Sequence, residues 1–233
     1  MTCPLLLRSS VWCVAALLMT GLASCSGLLP KTAPLPAFYT LDGAQMPAAA
    51  SPIGPQGAAT SASAPTAAGP TLAVGPPHAA AGFDSPRIIY TREAHQLAYF
   101  AHSEWVDTPA RMLTPLIVTA VARSSALRAV VVTPSAAAAD INLDTELVRL
   151  QQDFGDPPSR VRFTLRATLV DTATRRVLAS REFDQTEVSP SEDANGGVLA
   201  AHRVVQRVLG QLASLCDEAA SRWRPAEAGT RGQ

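Results

Sequence analysis

Val161-Arg162-Phe163-Thr164-Leu165-Arg166-Ala167-Thr168-Leu169-Val170 is the stretch that decides the fold. Apolar Val161, Phe163, Leu165, Ala167 and Leu169 alternate with polar Arg162, Thr164, Arg166 and Thr168, and successive strand residues point to opposite faces. That period of two predicts a strand with one face on a core and the other in water, the habit of an antiparallel sheet. Asp171 to Arg175 (DTATR) reads as a hairpin connection to a following strand, Val177 to Val188. Upstream, Asp140 to Gln151 carries a similar alternation through Ile141, Leu143, Thr145 and Leu147. Further short strands are expected at Thr71–Gly75, Arg87–Thr91, Leu97–Trp105 and Ala129–Val132, each bounded by turn residues.

Two helices complete the pattern. Thr108-Pro109 signals a helix start, with a hydroxyl able to accept an orphan N–H and a proline preset for the first turn. Leu113, Leu116, Ile117, Ala120, Val121 and Ser124 follow at helical spacing, and Pro115 marks a place for a bend. A longer helix opens at Asn195-Gly196-Gly197, with Val198, Leu199, His202, Val205, Val208, Leu209, Leu212, Leu215 and Ala219 on one face. The expected class is therefore α+β, a mostly antiparallel sheet with the two main helices packed on one face.

Composition sets the outer limits. The chain has 233 residues, with 19 basic and 19 acidic side chains, and is 47% apolar but only 16% charged. A nucleic-acid binder held by bulk charge needs a net basic face, so that class is excluded. Nineteen prolines, fourteen glycines and 5% aromatics argue that part of the chain lies outside any packed core. Between Asp42 and Asp84 there is no Asp, Glu, Lys or Arg. Residues 43–70 are mostly Ala, Pro, Ser, Thr and Gly, with prolines at 47, 52, 55, 65 and 70, and read as a flexible insertion between a brief strand at 37–42 and a domain at 71–222. The tail, 223–233, is expected to be flexible.

The N-terminus carries a third kind of sequence. Arg8 precedes an apolar run, Val11 to Met19, of the length of a signal h-region and too short to span a bilayer of roughly 30 Å. Residues 1–24 are read as a signal peptide. Leu22-Ala23-Ser24-Cys25, directly behind it, resembles the lipobox of bacterial lipoproteins, in which the cysteine thiol takes the lipid. That resemblance implies a lipidated N-terminus and spacer over 25–36, anchored through Cys25 to a membrane it does not span. Several acyl chains make such an anchor durable, because each buried methylene contributes about 0.8 kcal/mol. By the lipoprotein sorting rule, Ser26 after the cysteine favours the outer membrane over the inner. Cys3 and Cys13 leave with the signal, and Cys216, alone on an apolar helix face, reads as a buried small hydrophobe.

Candidate chemistry is sparse. His95 and His102 lie seven apart, and His78 and His202 are distant from them, with no metal-ligand spacing; no metal and no cofactor is implied. No phosphate-binding loop or Gly-x-Ser-x-Gly elbow occurs, and no catalytic residue is assigned. Glu104 and Asp107 flank Trp105 in the guise of an acid/base pair. They read better as solvated or helix-capping acids, with Trp105 packed on Phe100. Arg160, Arg162 and Arg166 share one strand face, which is either the wet side of a sheet or a surface for acidic partners or lipid headgroups.

The runs Asp84-Ser85-Pro86-Arg87-Ile88-Ile89-Tyr90, Tyr99 to Leu113 (YFAHSEWVDTPARML), Leu143 to Phe154 (LDTELVRLQQDF) and Gly196 to Ala201 (GGVLAA) together resemble the ABC-type transport auxiliary lipoprotein family. The resemblance covers roughly Phe38 to Ala220. It implies a periplasm-facing lipoprotein, not an enzyme, working with an ABC transporter permease and ATPase and an MCE-domain protein to move phospholipid or other hydrophobic molecules between two membranes. A homo-oligomer is compatible with that role. Two alternative readings are an envelope-assembly scaffold without lipid handling and a lipid-anchored periplasmic hydrolase, the latter disfavoured by the missing catalytic constellation.

Overall fold

The structure is a computed structural model that describes residues 35–42 and 69–225. The signal, the lipobox with Cys25 and nearly all of the Ala/Pro-rich insertion lie outside the described residues. In chain order the elements are β1 (Ala37–Tyr39), β2 (Thr71–Val74), β3 (His78–Ala79), β4 (Arg87–Thr91), β5 (Ala98–Trp105), α1 (Pro109–Val121), β6 (Ala129–Val132), β7 (Ile141–Asp153), β8 (Arg160–Asp171), β9 (Val177–Val188) and α2 (Ala194–Arg222).

β8 behaves as its alternation predicts. Val161, Phe163, Leu165, Ala167 and Leu169 are each at most 2% exposed, while Arg162 and Arg166 point outward into solvent. It pairs antiparallel with β7 on one side and with β9 on the other. Asp171 turns the second hairpin, its Oδ1 accepting from the Thr174 N–H and hydroxyl, both at 2.7 Å. These three long strands make the sheet mostly antiparallel and open, and with two helices the class is α+β.

The other edge of β7 is occupied in sequence by three short strands, all parallel to it. β2 meets its start, β3 its middle and β4 its end. From β2 the sheet continues to edge strand β6, and from β4 to β5 and then β1. An ion-pair knot fixes the first branch: the Arg128 guanidinium donates to Thr71 Oγ1 and Asp140 Oδ2, and the Thr71 N–H donates to Asp140 Oδ2 at 2.8 Å. β3, a two-residue strand at His78, carries no periodic signal and was not expected from the sequence.

α1 is continuous through Pro115, which stands exposed on its outer side while Leu113, Ile117 and Val121 are fully buried. Its N-cap differs from expectation. Thr108 makes no side-chain cap bond and its Oγ1 is buried without a partner; Asp107 instead accepts from the Thr108 N–H at 2.7 Å and pairs with Arg111. α2 is capped by Asp193, whose Oδ1 accepts from the Gly196 N–H at 2.7 Å. That bond holds the Asp193 carboxyl below its ordinary pKa. α2 packs on β8, β9 and α1, and α1 also touches β6 and β7. Asp217 of α2 accepts from Ser124 Oγ at 2.6 Å, tying the end of α1 to it. The side chains of both helices and of the inward sheet residues form one hydrophobic cluster.

Most of the face expected on α2 is buried, with Val198, Val205, Val208, Leu209, Leu212, Leu215 and Ala219 all in the core, but two of its members near the start of the helix are not. Leu199 is 38% exposed, and His202 is only half-buried, its Nε2 bonded to the Thr40 carbonyl at 2.9 Å. Ala200, Ala201 and Val204 are buried instead. Small residues let the helix approach the sheet, and at its first turn the approach is closest. A β-carbon built on Gly197 would lie 2.9 Å from Gln152 Cδ, and one on Gly196 2.7 Å from Ser191 N. Only a residue without a side chain fits at either position.

Candidate functional site

The residues singled out from the sequence are scattered through this architecture rather than convergent. His78 sits on β3, His95 in the β4–β5 loop, His102 on β5 and His202 on α2. Among the described residues no group of three His, Cys, Asp or Glu side chains is placed to hold a metal. Asp107 is spent on the α1 cap. Glu104 is half-buried on β5, with Phe38 and Arg87 as its cross-strand partners in register. Trp105 is 4% exposed in the main cluster, and Phe100 does not stack on it as expected. Among the described residues the ring contacts of Phe100 are with Tyr90, centroids 4.8 Å apart, and Phe154 at 6.3 Å.

The outward arginines of β8 resolve into a ladder of cross-strand pairs. Arg162 grips Asp184 of β9 with two nitrogens, the Nε bond at 2.9 Å, and Thr164 Oγ1 donates to the same carboxylate at 2.8 Å. Arg166 bridges Glu146 of β7 at 2.6 Å and Glu182 of β9 at 2.9 Å. The Arg162 bond holds the Asp184 carboxyl down at about 2 and raises the Arg162 guanidinium in return. Along the edge, Glu187 joins Arg203 and Arg207 of α2 to β9. Arg162 and Arg166 are thus paired within the sheet, whereas Arg160, exposed at the start of β8, holds no carboxylate among the described residues.

Cys216 is 1% exposed and unpaired by any disulfide. Desolvation first, and the neighbouring Asp217 second, push its thiol up to about 12, which suits a packing role and opposes reactivity.

One concave feature had no counterpart in the sequence reading. A cleft of about 450 Å³ opens at the end of β7 against the β4–β5 loop, lined among others by Phe83, Arg92, Glu93, Leu97, Arg149 and Asp153. A β-bulge between Leu147 and Arg149 builds it. Up to Leu147 the odd residues of β7 face the core; past the bulge Leu150 and Gln152 are buried, and Arg149, Gln151 and Asp153 turn to the other side. Bulges re-aim side chains in this way. Arg92 lies over two rings, its guanidinium carbon 5.5 Å from the Tyr90 centroid and 5.2 Å from that of Phe154. His95 in the same loop has φ 67°, a left-handed conformation uncommon outside glycine.

A family model for the ABC-type transport auxiliary lipoprotein component matches residues 53–213. Among solved structures, protein XCC0632 from Xanthomonas campestris is similar at 26% identity with a TM-score of 0.59, over 64% of this chain and 84% of its own. An uncharacterized protein aligns at 12% identity with a TM-score of 0.54, over 79% of this chain and 98% of its own; at that identity the likeness is one of fold. No curated protein matches the chain at a significant level.

Proposed function

The chain belongs to the family of ABC-type transport auxiliary lipoprotein components, and from that premise we propose that it is a non-catalytic, periplasm-facing member of a transporter assembly, anchored by an acylated Cys25. The observation that carries this reading is the family match over residues 53–213. The lipobox Leu22-Ala23-Ser24-Cys25 ahead of it supplies the anchor, and Ser26 favours the outer membrane. The partners are the permease and ATPase of the transporter and a subunit with an MCE domain, and the cargo is phospholipid or another hydrophobic molecule. Energy comes from the ATPase, since this chain has no phosphate-binding loop.

In this reading the domain is a binding platform. α2 packs on β8 and β9, and the outward Arg162 and Arg166 of β8 are paired with acids of the neighbouring strands. Asp107 accepts from the Thr108 N–H, Asp193 caps α2, and Asp184 and Glu187 bind arginines. Affinity isolation of the full-length chain from detergent-solubilised membranes tests the assignment. Recovery of the permease and ATPase supports it, and recovery of no transporter subunit refutes it.

A further inference from the structure

We propose that the cleft between the end of β7 and the β4–β5 loop binds a zwitterionic phosphodiester, a phosphate with an ammonium group close by. Arg111, Arg128, Arg162, Arg166, Arg203, Arg207 and Arg222 each hold a carboxylate. Arg92 and Arg149 line the cleft and, among the described residues, neither forms a side-chain hydrogen bond or ion pair. Arg149 is felt electrostatically by Asp184, but that carboxylate is already taken by Arg162. A guanidinium offers five donors in a planar fork that matches phosphate oxygens. Arg92 is preoriented for such a ligand by the Tyr90 and Phe154 rings, and Arg149 by the bulge that turns it out of the core. Gln151 and Thr91, on the same wall, add neutral polar groups.

The cleft is not purely cationic, and that narrows the ligand. Glu93 and Asp153 line it as well, so its formal charges balance. Asp153 Oδ1 accepts from the Gly155 N–H at 2.9 Å, which leaves its other oxygen open. Simple phosphate would satisfy the arginines and be repelled by the two acids; a phosphodiester with a tethered ammonium satisfies both. Phe83 and Leu97, the latter 41% exposed, give the cleft an apolar wall. Its volume of about 450 Å³ falls within the usual range for small-molecule sites, about 300–1,000 Å³. The headgroup of a zwitterionic phospholipid and a free glycerophosphodiester share this chemistry. The lipid as the source rests on the transport reading above; the cleft chemistry does not.

The test uses the mature full-length chain in a phosphate-free maltoside detergent and follows NMR shifts or titration heat with four probes. These are glycerophosphoethanolamine, inorganic phosphate, ethanolamine, and dihexanoylphosphatidylethanolamine below its micelle concentration. Glycerophosphoethanolamine should bind saturably and at least several-fold more tightly than phosphate or ethanolamine. Arg149→Gln and, independently, the exposed-loop change Arg92→Gln should each weaken it by at least about tenfold, the loss expected for a charge-assisted contact. Arg162→Gln, which removes the same charge from the paired ladder, should leave it unchanged. Tighter binding of the short-chain lipid than of the soluble headgroup identifies a lipid source, and equal binding identifies a soluble diester. Phosphate binding as tightly as the headgroup, or equal effects of Arg149→Gln and Arg162→Gln, overturns the proposal. No transporter subunit takes part in the readout, so failure here leaves the transporter association standing, and the reverse also holds.

Discussion

Adding one methyl group at Gly197 is the sharpest available test of how α2 meets the sheet. Its β-carbon would come within 2.9 Å of Gln152 Cδ and closer still to Oε1. Gln152 cannot easily retreat: it is 2% exposed, and its Nε2 donates to Ser159 Oγ at 2.9 Å and Ser189 Oγ at 3.4 Å. Overpacking a rigid site costs about 1–3 kcal/mol, and displacing Gln152 from its serines adds about 1 kcal/mol per bond. The better helix propensity of alanine offsets about 1 kcal/mol of this. Gly197→Ala should therefore destabilise the domain by about 1–4 kcal/mol. Gly210 lies in the same helix with nothing within 4 Å of a built β-carbon. There the propensity term acts alone, and Gly210→Ala should stabilise by about 0.5–1 kcal/mol. Urea unfolding with unchanged slopes reads both values. If Gly197→Ala stabilises as much as Gly210→Ala, the close approach described for α2 is wrong.

Three other outcomes are expected. Cys25→Ser should move the protein from the membrane to the soluble fraction; continued sedimentation with membranes in high salt would contradict the lipid anchor. Cys216 should resist a thiol reagent at pH 8 in the native protein and react promptly once unfolded, and its raised pKa should make stability fall as pH climbs from about 9 toward 12. Asp184 is lowered from 3.8 to about 2, so the stability it contributes is present above about pH 4 and lost between about pH 4 and 2. Because the Arg162–Asp184 pair is partly exposed, Arg162→Gln should cost no more than about 1 kcal/mol at pH 7, a difference that shrinks toward pH 2 in acid-unfolding curves.

What could be read from the sequence follows from how many residues share one pattern. β8 alternates without interruption over nine residues, Val161 to Leu169, so its faces, the hairpin to β9 and the α+β class are legible. β7 begins with the same alternation, but one bulge inverts its phase. Extending the pattern beyond Leu147 would put Arg149 and Gln151 in the core and Gln152 in water, the reverse of what is found. The candidate cleft was invisible for that reason. Periodicity gives no warning of a bulge, and the arginines that define the cleft come from different elements. The parallel pairing of β2, β3 and β4 along one edge of β7 was equally illegible. Strands of two to five residues specify a partner through tertiary packing, not through their own sequence. On α2, large apolar residues drew attention to Leu199, whereas Ala200 and Ala201 make the contact because the helix sits close. In the sequence the Gly196-Gly197 pair marks a helix start and part of a family resemblance; the close approach of Gln152 and Ser191 supplies its physical cause.

The central claim is that this chain assists a transporter without performing chemistry of its own. The direct measurement is transfer of a labelled phospholipid from proteoliposomes holding the permease, ATPase and MCE-domain subunit, with and without the acylated full-length chain. The proposed role predicts that transfer depends on the chain while the chain alone hydrolyses no ATP. Equal transfer in its presence and absence would contradict it.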